Sequence, residues 1–447
     1  MSAEPSATAP GQSRKASLAA LVGTVLEWYD FIVYGTAAAI VLNTQFFPSD
    51  DPLIGTLAAF ATYAVGFLAR PVGGLVLGRL GDRVGRRKML VLTLMLMGIS
   101  TTAVGVLPTY EQVGVLAPVL LVVLRLVQGF GAGGEYAGAV VLSVEHARSD
   151  RRGLAGSAAP LGYAVATLLG NGVFYLFLLL PAEEFAAWGW RLPFLLGALC
   201  LVVGYLIRRQ VEEPQVFQDS RADATPMSSR GVFAAVRRHP RSFFIVVGTR
   251  MGENGFAYLI PVFGVSYLST TLGLDRSLGL AAVLIASAVQ AVLIPICGLL
   301  SDRVGRKPVY LVGILGSAAW MIPFFLLSDT RSATWVVVAF VIGLGVFYPA
   351  MLAPQAAWYA ELFDTEFRMS GFAFSREVGS VLAGGLAPFI ATALYAWAGH
   401  WWPILVYMAA MAALTVVALA LGPETVRRRL RRQQPTTTDE VRKDVVT

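Results

Sequence analysis

Charged residues are scarce in this sequence: they make up 14% of the chain, against about 25% in soluble domains. Cysteine and histidine are rarer still. The two cysteines, Cys200 and Cys297, lie in apolar runs, which excludes a disulfide framework and a cysteine-based metal site. His146, His239 and His400 are far apart along the chain, so no metal-binding cluster is expected. We therefore expect neither a metal nor any other cofactor.

Catalytic motifs are also missing. The sequence pairs no nucleophile with a base, and its glycine-rich stretch at 129–134 follows no strand, so it is not interpreted as a phosphate-binding loop. We expect the protein not to be an enzyme. The formal net charge is +7. It does not indicate nucleic-acid binding here, because basic residues of membrane proteins collect in cytoplasmic loops.

Long apolar runs make up most of the sequence. Hydrophobic residues make up 56% of the chain, and its mean hydropathy is +0.65. A membrane-spanning helix needs about 20 mostly apolar residues. Twelve runs meet this requirement, near 18–42, 53–78, 89–107, 114–143, 154–180, 191–208, 242–269, 278–300, 308–327, 333–357, 371–397 and 402–421. The sequence therefore predicts an all-α membrane protein with twelve transmembrane helices.

The polar stretches divide the chain into two halves. Residues 209–240 form the one long hydrophilic stretch between apolar runs, and we interpret them as a cytoplasmic linker. We expect a disordered cytoplasmic N-terminus over 1–16 and a cytoplasmic tail over 422–447. The two six-helix bundles are predicted over 17–208 and 241–421.

Basic residues predict the orientation in the membrane. They concentrate in the loops 79–88, 144–153 and 301–307 and in the tail, whereas the alternate connections are acidic, balanced or nearly bare. With twelve spans, every basic loop falls on one side. The positive-inside rule then predicts a multi-pass protein of the cytoplasmic (inner) membrane with both termini in the cytoplasm. We expect it to be a monomer in the lipid bilayer.

The loop after the second predicted span recurs after the eighth, which indicates two pseudo-symmetric bundles with a site between them. The first copy, 78–88, reads GRLGDRVGRRK, and the second, 298–307, reads GLLSDRVGRK. An aspartate in such a loop can accept from a helix N-terminus or pair with an arginine across a moving interface. Topology alone also explains the basic residues. The recurring Gly and Asp spacing favours a gating role for Gly78, Asp82, Arg83, Gly85, Arg86, Asp302, Arg303, Gly305 and Arg306.

Ionisable side chains inside the predicted spans are the candidate functional residues, because a charge at mid-bilayer costs about 2.5–3.5 kcal/mol. Helical spacing gathers them with polar neighbours into three one-sided groups. The groups are Glu27, Asp30 and Tyr34 in the first span, Arg125, Gln128 and Glu135 in the fourth, and Arg250, Glu253 and Asn254 in the seventh. If these spans line one cavity, two arginines from opposite halves face the same aqueous space.

This set of charges predicts a proton-coupled site. A carboxylate beside an arginine stays ionised, and it takes up a proton when it is moved away or desolvated. We assign proton coupling to Glu27, Asp30, Arg125 and Glu135. Because arginine binds a carboxylate through two parallel hydrogen bonds, we assign substrate contacts to Arg125, Gln128, Tyr34, Arg250, Glu253 and Asn254. The alternative is that these charges pair permanently and hold the bundle together.

Several further residues have less specific expected roles. Arg70, near the inner end of the second span, is expected either to extend toward the membrane surface or to act in transport. Arg376 and Glu377 are expected to pair with each other or to contact the loop motif. Trp28 is expected to pack or to lie at the membrane interface.

Four segments resemble the metabolite:proton symporter family of the major facilitator superfamily. They are VLEWYDFIVYG at 25–35, ARPVGG at 69–74, RLVQG at 125–129 and GWRLPF at 189–194. The N-terminal half is most similar to shikimate-transporter-like members. The resemblance implies the major facilitator fold, secondary active transport by alternating access, and a role for Arg125 in proton coupling.

Three functions are compatible with these features. The first is proton-coupled symport of a small organic acid, with a small-molecule substrate and protons as the partners and no nucleic acid. The second is symport of a zwitterionic osmolyte such as proline or betaine, which needs a cavity carboxylate for the cationic group. Osmosensing members of the family often carry a long C-terminal coiled coil, and 422–447 shows no heptads. The third, a membrane sensor that does not transport, usually has an added signalling domain.

Overall fold

A computed structural model describes residues 10–84, 86–133, 135–145, 147–148, 150–199, 201–202, 230–364 and 367–426. Side chains are described from residue 21 onward, except those at 78–79, 81–88, 90, 135, 142 and 230–231. Within these ranges the regular structure is helical and contains no strand. Eight of the described helices are long and apolar enough to cross a membrane.

Helices occupy all twelve predicted apolar runs as far as the chain is described. In the first half the spans are Pro10–Ile40, Pro52–Val84, Arg86–Val106, Leu116–Gly131 continued by Glu135–Glu145, Arg152–Leu178, and a sixth that begins at Leu192. In the second half they are Pro240–Tyr258, Arg276–Val304, Arg306–Asp329, Ala333–Glu361, Arg368–Ala398 and Trp402–Leu421. Shorter helices at Leu42–Phe46, Tyr110–Val113, Ala182–Ala187, Gly189–Arg191 and Arg230–Arg238 connect them.

One predicted boundary differs from the structure. The first span begins at Pro10, inside the segment 1–16 that was predicted to be disordered, because alanine, glutamine and lysine readily extend a helix that has already formed. Residues 1–9 lie outside the described ranges. The predicted linker 209–240 is described only from residue 230, where the helix Arg230–Arg238 precedes the seventh span.

Wide π-helical turns interrupt three spans of the second half. They lie at Leu259–Gly264 and Tyr267–Thr271, which continue the seventh span beyond Tyr258, at Val341–Phe347 in the tenth and at Ser380–Gly385 in the eleventh. Such turns occur frequently at functional sites because they change the direction of the side chains around them. Leu259–Gly264 directly follows Tyr258, and Val341–Phe347 directly precedes Tyr348, and both tyrosines line a cavity between the halves.

Glycines allow the second and fourth spans to touch backbone to backbone. A Cβ added to Gly129 would lie 1.9 Å from the carbonyl oxygen of Gly66, and one added to Gly73 would lie 1.9 Å from that of Phe130. The spacing of Gly129 and Gly133 is the small-residue pattern of closely packed membrane helices. This contact holds Arg125 of the fourth span against the second span, where a Cβ on Gly66 would lie 2.7 Å from its Nε.

The two halves meet along several pairs of spans, among them the second with the eleventh, the fifth with the eighth and the tenth, and the fourth with the tenth and the eleventh. We call the side that carries the 79–88 and 301–307 loops the motif side. Between the halves, the rings of Tyr63 and Phe67 pack against Tyr258, with centroids 5.9 and 5.3 Å apart.

Candidate functional site

A small cavity lies between the halves. Five aromatic side chains line it, Trp28, Tyr136, Tyr163, Tyr258 and Tyr348, together with the polar residues Arg250, Glu253, Asn254 and Arg376 and the apolar Leu352. Its volume is about 10 Å³, roughly the space of one water molecule. The halves are therefore closed around the centre in this conformation.

Arg250 forms the polar wall of the cavity in the second half. Its Nη1 donates to a Glu253 oxygen at 2.5 Å. Its Nη2 donates to Asn254 and to the Ser380 hydroxyl, both at 2.8 Å. The Tyr348 hydroxyl donates to the other Glu253 oxygen at 2.8 Å. Arg250 thus joins the seventh span to the eleventh, and its two terminal nitrogens are already occupied.

A second ion-pair network crosses from one half to the other. Arg70 of the second span donates through Nε to Glu377 of the eleventh span at 2.6 Å, and through Nη2 to Glu27 of the first span at 3.2 Å. Glu377 also accepts from Arg376 at 2.6 Å. All four side chains are at least 95% buried. Buried charges need such pairing, because an unpaired charge in this environment is strongly destabilising.

Arg125 lies outside the cavity, in a buried aromatic cluster of the first half. Its guanidinium carbon is 4.0 Å from the ring centre of Tyr34, 4.7 Å from Phe31 and 5.0 Å from Tyr63. Nη1 donates to Gln128, whereas Nε and Nη2 have no hydrogen-bond partner among the described residues.

Asp30 is linked to Arg125 through two polar side chains. The Gln128 amide donates to the Thr101 hydroxyl at 2.7 Å, and Thr101 is hydrogen-bonded to Asp30. Asp30 is 4% exposed. The row of Asp30, Thr101, Gln128 and Arg125 therefore connects an acidic and a basic group without a direct ion pair between them.

These positions differ from several expectations. Two arginines from opposite halves were expected to face one cavity, but of Arg125 and Arg250 only Arg250 lines it. If the charges paired permanently, Arg125 was expected to pair with Glu27 or Asp30, but Glu27 binds Arg70, which reaches it from the neighbouring second span. Gln128 and Tyr34 contact Arg125 and do not line the cavity. The side chain of Glu135 lies outside the described residues.

The second copy of the loop motif joins the halves on the motif side. Asp302 accepts from the backbone amides of Gly153 and Leu154, at 2.7 and 3.0 Å, at the start of the fifth span. This is a favourable position for a carboxylate, because helix N-termini carry partial positive charge. Arg306 donates to Asp302 at 2.8 Å and to Glu361 at 3.3 Å.

The residues after the last span close against this loop. Glu424 accepts from the backbone amides of Arg306 and Lys307, each at 3.0 Å. Gly305 has φ +122°, and a Cβ there would lie 2.7 Å from a Glu424 oxygen, so glycine suits this position both conformationally and sterically. Arg303 is exposed. In the first copy, Gly78 lies in the second span, whereas Gly85 and the side chains of Asp82, Arg83 and Arg86 lie outside what the structure describes.

Most residues of the central site were missed or assigned other roles from the sequence, among them Trp28, Arg70, Tyr136, Arg376 and Glu377. Trp28 and Tyr136 carry no charge, and aromatic residues occur on every face of membrane helices. Arg70, Arg376 and Glu377 did carry a signal. Each is a charge inside an apolar run, and the cost of burying it implies a partner in the protein interior.

Comparison with known families agrees with this architecture. The profile described as Major Facilitator Superfamily matches residues 20–275 and again 243–446. The xylose transporter XylE from E. coli, in a partially occluded inward-open conformation, superposes with a TM-score of 0.72 at 17% identity, covering 94% of this chain and 100% of that one.

Several transporters are more closely similar in sequence. The chain is 38% identical to the shikimate transporter of Escherichia coli (strain K12) over 93% of its own length and 96% of the relative's. It is 36% identical to the inner membrane metabolite transport protein YhjE of the same organism, over 92% and 94%. It is 33% identical to the proline/betaine transporter of Salmonella typhimurium, over 96% and 87%. Its two helical halves, the site enclosed between them and these relatives together show that the chain is a multi-pass membrane transporter belonging to the major facilitator superfamily.

Proposed function

We propose that this transporter couples the movement of protons to the symport of a small organic acid by alternating access. The observation that carries the proposal is the pairing of guanidinium groups with an enclosed aromatic cavity between the halves. Arg250 and Arg376 line that cavity. A carboxylate offers acceptors to them, whereas a neutral substrate would have to displace water from charged groups without supplying a counter-charge.

The charge balance around the cavity supports coupling to a proton. Three arginines and three carboxylates lie in the two ion-pair networks: Arg70, Arg250, Arg376, Glu27, Glu253 and Glu377. Their formal charges cancel. Enclosing a monoanion would leave one uncompensated negative charge in a low-dielectric interior, where such a charge is costly. Uptake of one proton with each monoanion restores the balance.

We further propose that the proton is exchanged in the first half of the molecule. Asp30 is buried and connected to Arg125 through Thr101 and Gln128. A carboxylate beside a partly hydrogen-bonded guanidinium changes its protonation when the separation between the two groups changes. Glu27 is the second candidate, because its partner Arg70 also binds the opposite half. Asp30→Asn should then abolish proton-driven accumulation while leaving substrate exchange in place.

Alternating access requires the contacts of the motif side to open and close. Three contacts join the two halves there. Asp302 binds the start of the fifth span, Arg70 pairs with Glu377, and Arg368 pairs with Glu145. We propose that the loop motifs act as a gate, with both termini on the cytoplasmic side and a monomer as the transporting unit. Rocking of one bundle against the other is the motion typical of this architecture.

A zwitterionic osmolyte is the second candidate substrate. Glu253 lines the cavity together with five aromatic side chains, and aromatic cages are a common way to bind quaternary ammonium groups. Similarity to proline/betaine transporters is in agreement with this alternative. Both candidate substrates carry a carboxylate, so they differ only in the need for a cation site.

Uptake by the purified full-length protein in liposomes tests the proposal. Radiolabelled shikimate, proline, glycine betaine and xylose are supplied with an imposed proton gradient, with a sodium gradient, or with neither. We expect accumulation of a carboxylate substrate with the proton gradient and its loss on adding a protonophore. Preference for xylose, or accumulation driven by sodium alone, would refute the proposal.

A further inference from the structure

The hydrogen-bonding state of the two cavity arginines differs. Both terminal nitrogens of Arg250 donate to acceptors within the second half. A substrate carboxylate could bind there only by replacing one of these acceptors. In the described part of the chain, Arg376 makes one hydrogen bond, from Nη1 to Glu377. Arg376 therefore has donor capacity left for a ligand in the cavity.

Two neutral donors of the first half lie beside Arg376 without partners. The indole Nε1 of Trp28 and the hydroxyl of Tyr136 are buried, and neither has a hydrogen-bond partner among the described residues. The guanidinium carbon of Arg376 is 3.9 Å from the ring centre of Tyr136 and 5.9 Å from that of Trp28. The two side chains are 5% and 4% exposed, respectively. Leaving a buried donor unpaired costs about 1–3 kcal/mol.

We propose that Arg376, Trp28 and Tyr136 form the subsite that binds the carboxylate of the substrate. This inference rests on the proposed function, because it presumes an anionic group in the cavity. An oxyanion there accepts from the indole, from the phenol and from the nitrogens of Arg376 that Glu377 leaves free. It thereby satisfies donors that the protein itself leaves unpaired.

The subsite also links substrate binding to the contact between the halves. Trp28 and Tyr136 belong to the first and fourth spans, whereas Arg376 belongs to the eleventh. A carboxylate held by all three bridges the two bundles. Glu377 pairs with both Arg376 and Arg70. A ligand that binds Arg376 therefore competes with Glu377 for that arginine and changes the ion pair between Glu377 and Arg70, which joins the second and eleventh spans.

Binding measurements with matched ligands test this assignment. The dissociation constants of shikimate and of its methyl ester are measured by calorimetry on the purified full-length protein, with glycine betaine and choline as a second pair. Each pair compares a ligand that has the carboxylate with one that lacks its charge. The variants are Trp28→Phe and Tyr136→Phe, which remove one donor and keep a ring, and Arg376→Lys. Tyr407→Phe is the control, because it also removes a buried hydroxyl that has no partner in the described chain, but in the twelfth span.

We expect each donor deletion to weaken binding of the acid about tenfold, as loss of one hydrogen bond to a charged group does, and to leave ester binding unchanged. Tyr407→Phe should change neither. Equal weakening of acid and ester, or unchanged acid binding in both aromatic variants, overturns the assignment, as does a wild type that binds neither acid. If Arg376→Lys does not elute as a folded protein in size-exclusion chromatography, the binding results for Trp28→Phe and Tyr136→Phe decide whether the assignment holds. If the variants change binding as predicted but uptake by the wild type does not depend on a proton gradient, the proposed coupling is refuted and the assignment of the subsite is retained.

Discussion

Glu377→Gln is the substitution that most directly perturbs the contact between the halves. Glu377 accepts from Arg70 at 2.6 Å and from Arg376 at 2.6 Å, and its side chain is 4% exposed. Removing one partner of a buried ion pair typically costs about 3–5 kcal/mol. Arg70 keeps its second partner Glu27, and glutamine keeps one acceptor oxygen, so we expect a smaller cost of about 1.5–3 kcal/mol in the closed state.

This cost falls mainly on the closed conformation, because the arginines are hydrated once the second and eleventh spans separate. One tenfold change in an equilibrium corresponds to about 1.4 kcal/mol. The population open on the motif side should therefore rise about ten- to a hundredfold. Leu352 lines the cavity, so a cysteine at this position reports on that opening when Cys200 and Cys297 are replaced by serine.

The assay is the rate at which a membrane-impermeant maleimide labels Leu352→Cys from the motif side. Glu377→Gln should accelerate labelling at least about tenfold. Glu145→Gln is the matched control. It breaks the pair with Arg368, but the side chain of Glu145 is 39% exposed, and pairs near the surface contribute about 0–1 kcal/mol. Equal labelling of Glu377→Gln and its parent, or equal acceleration by the control, would contradict the reasoning.

Three further predictions concern the cavity wall, the helix contact and the gate. Arg250→Lys keeps the charge but cannot hold Glu253 and Asn254 together as the two terminal nitrogens do. The cavity wall is then displaced, so we expect a folded protein whose Michaelis constant for carboxylate uptake rises about tenfold or more. Gly73→Ala should lower stability in detergent by about 1–3 kcal/mol, because its Cβ would meet the Phe130 carbonyl at 1.9 Å. Gly74→Ala, whose nearest contact would be 3.6 Å, should leave the melting temperature equal or higher. Asp302→Asn should slow transport without reducing the amount of protein in the membrane, which quantitative immunoblotting measures alongside uptake. An unchanged rate would leave that loop with a topological role alone.

Much of the architecture could be predicted from composition and spacing. Apolar runs of sufficient length have one stable solution in a bilayer, the helix, and the repeated loop related the two halves. The grouping of Glu27, Asp30 and Tyr34 on one face followed from helical periodicity alone. Such local arguments predict which residues share a face of a helix.

Partners in other spans could not be predicted in the same way. Arg70 and Glu377 are 307 residues apart in sequence, and their contact depends on the packing of the second span against the eleventh. Helical periodicity likewise does not distinguish an aromatic residue that lines a cavity, such as Trp28, from one that faces lipid. The π-helical turns of the seventh, tenth and eleventh spans also change which side chains face the centre. No regular 3.6-residue pattern includes these turns.

Proton movement that accompanies substrate movement tests the central claim most directly. Liposomes containing the full-length protein are suspended in a lightly buffered medium with no imposed gradient, and the carboxylate that the wild type accumulates is added outside. We predict that the medium becomes more alkaline as substrate enters, with about one proton taken up per monoanion, as the balanced charges of the cavity require. Asp30→Asn should take up substrate to equilibrium without this change in pH. Carboxylate entry into wild-type liposomes at constant external pH would contradict the account.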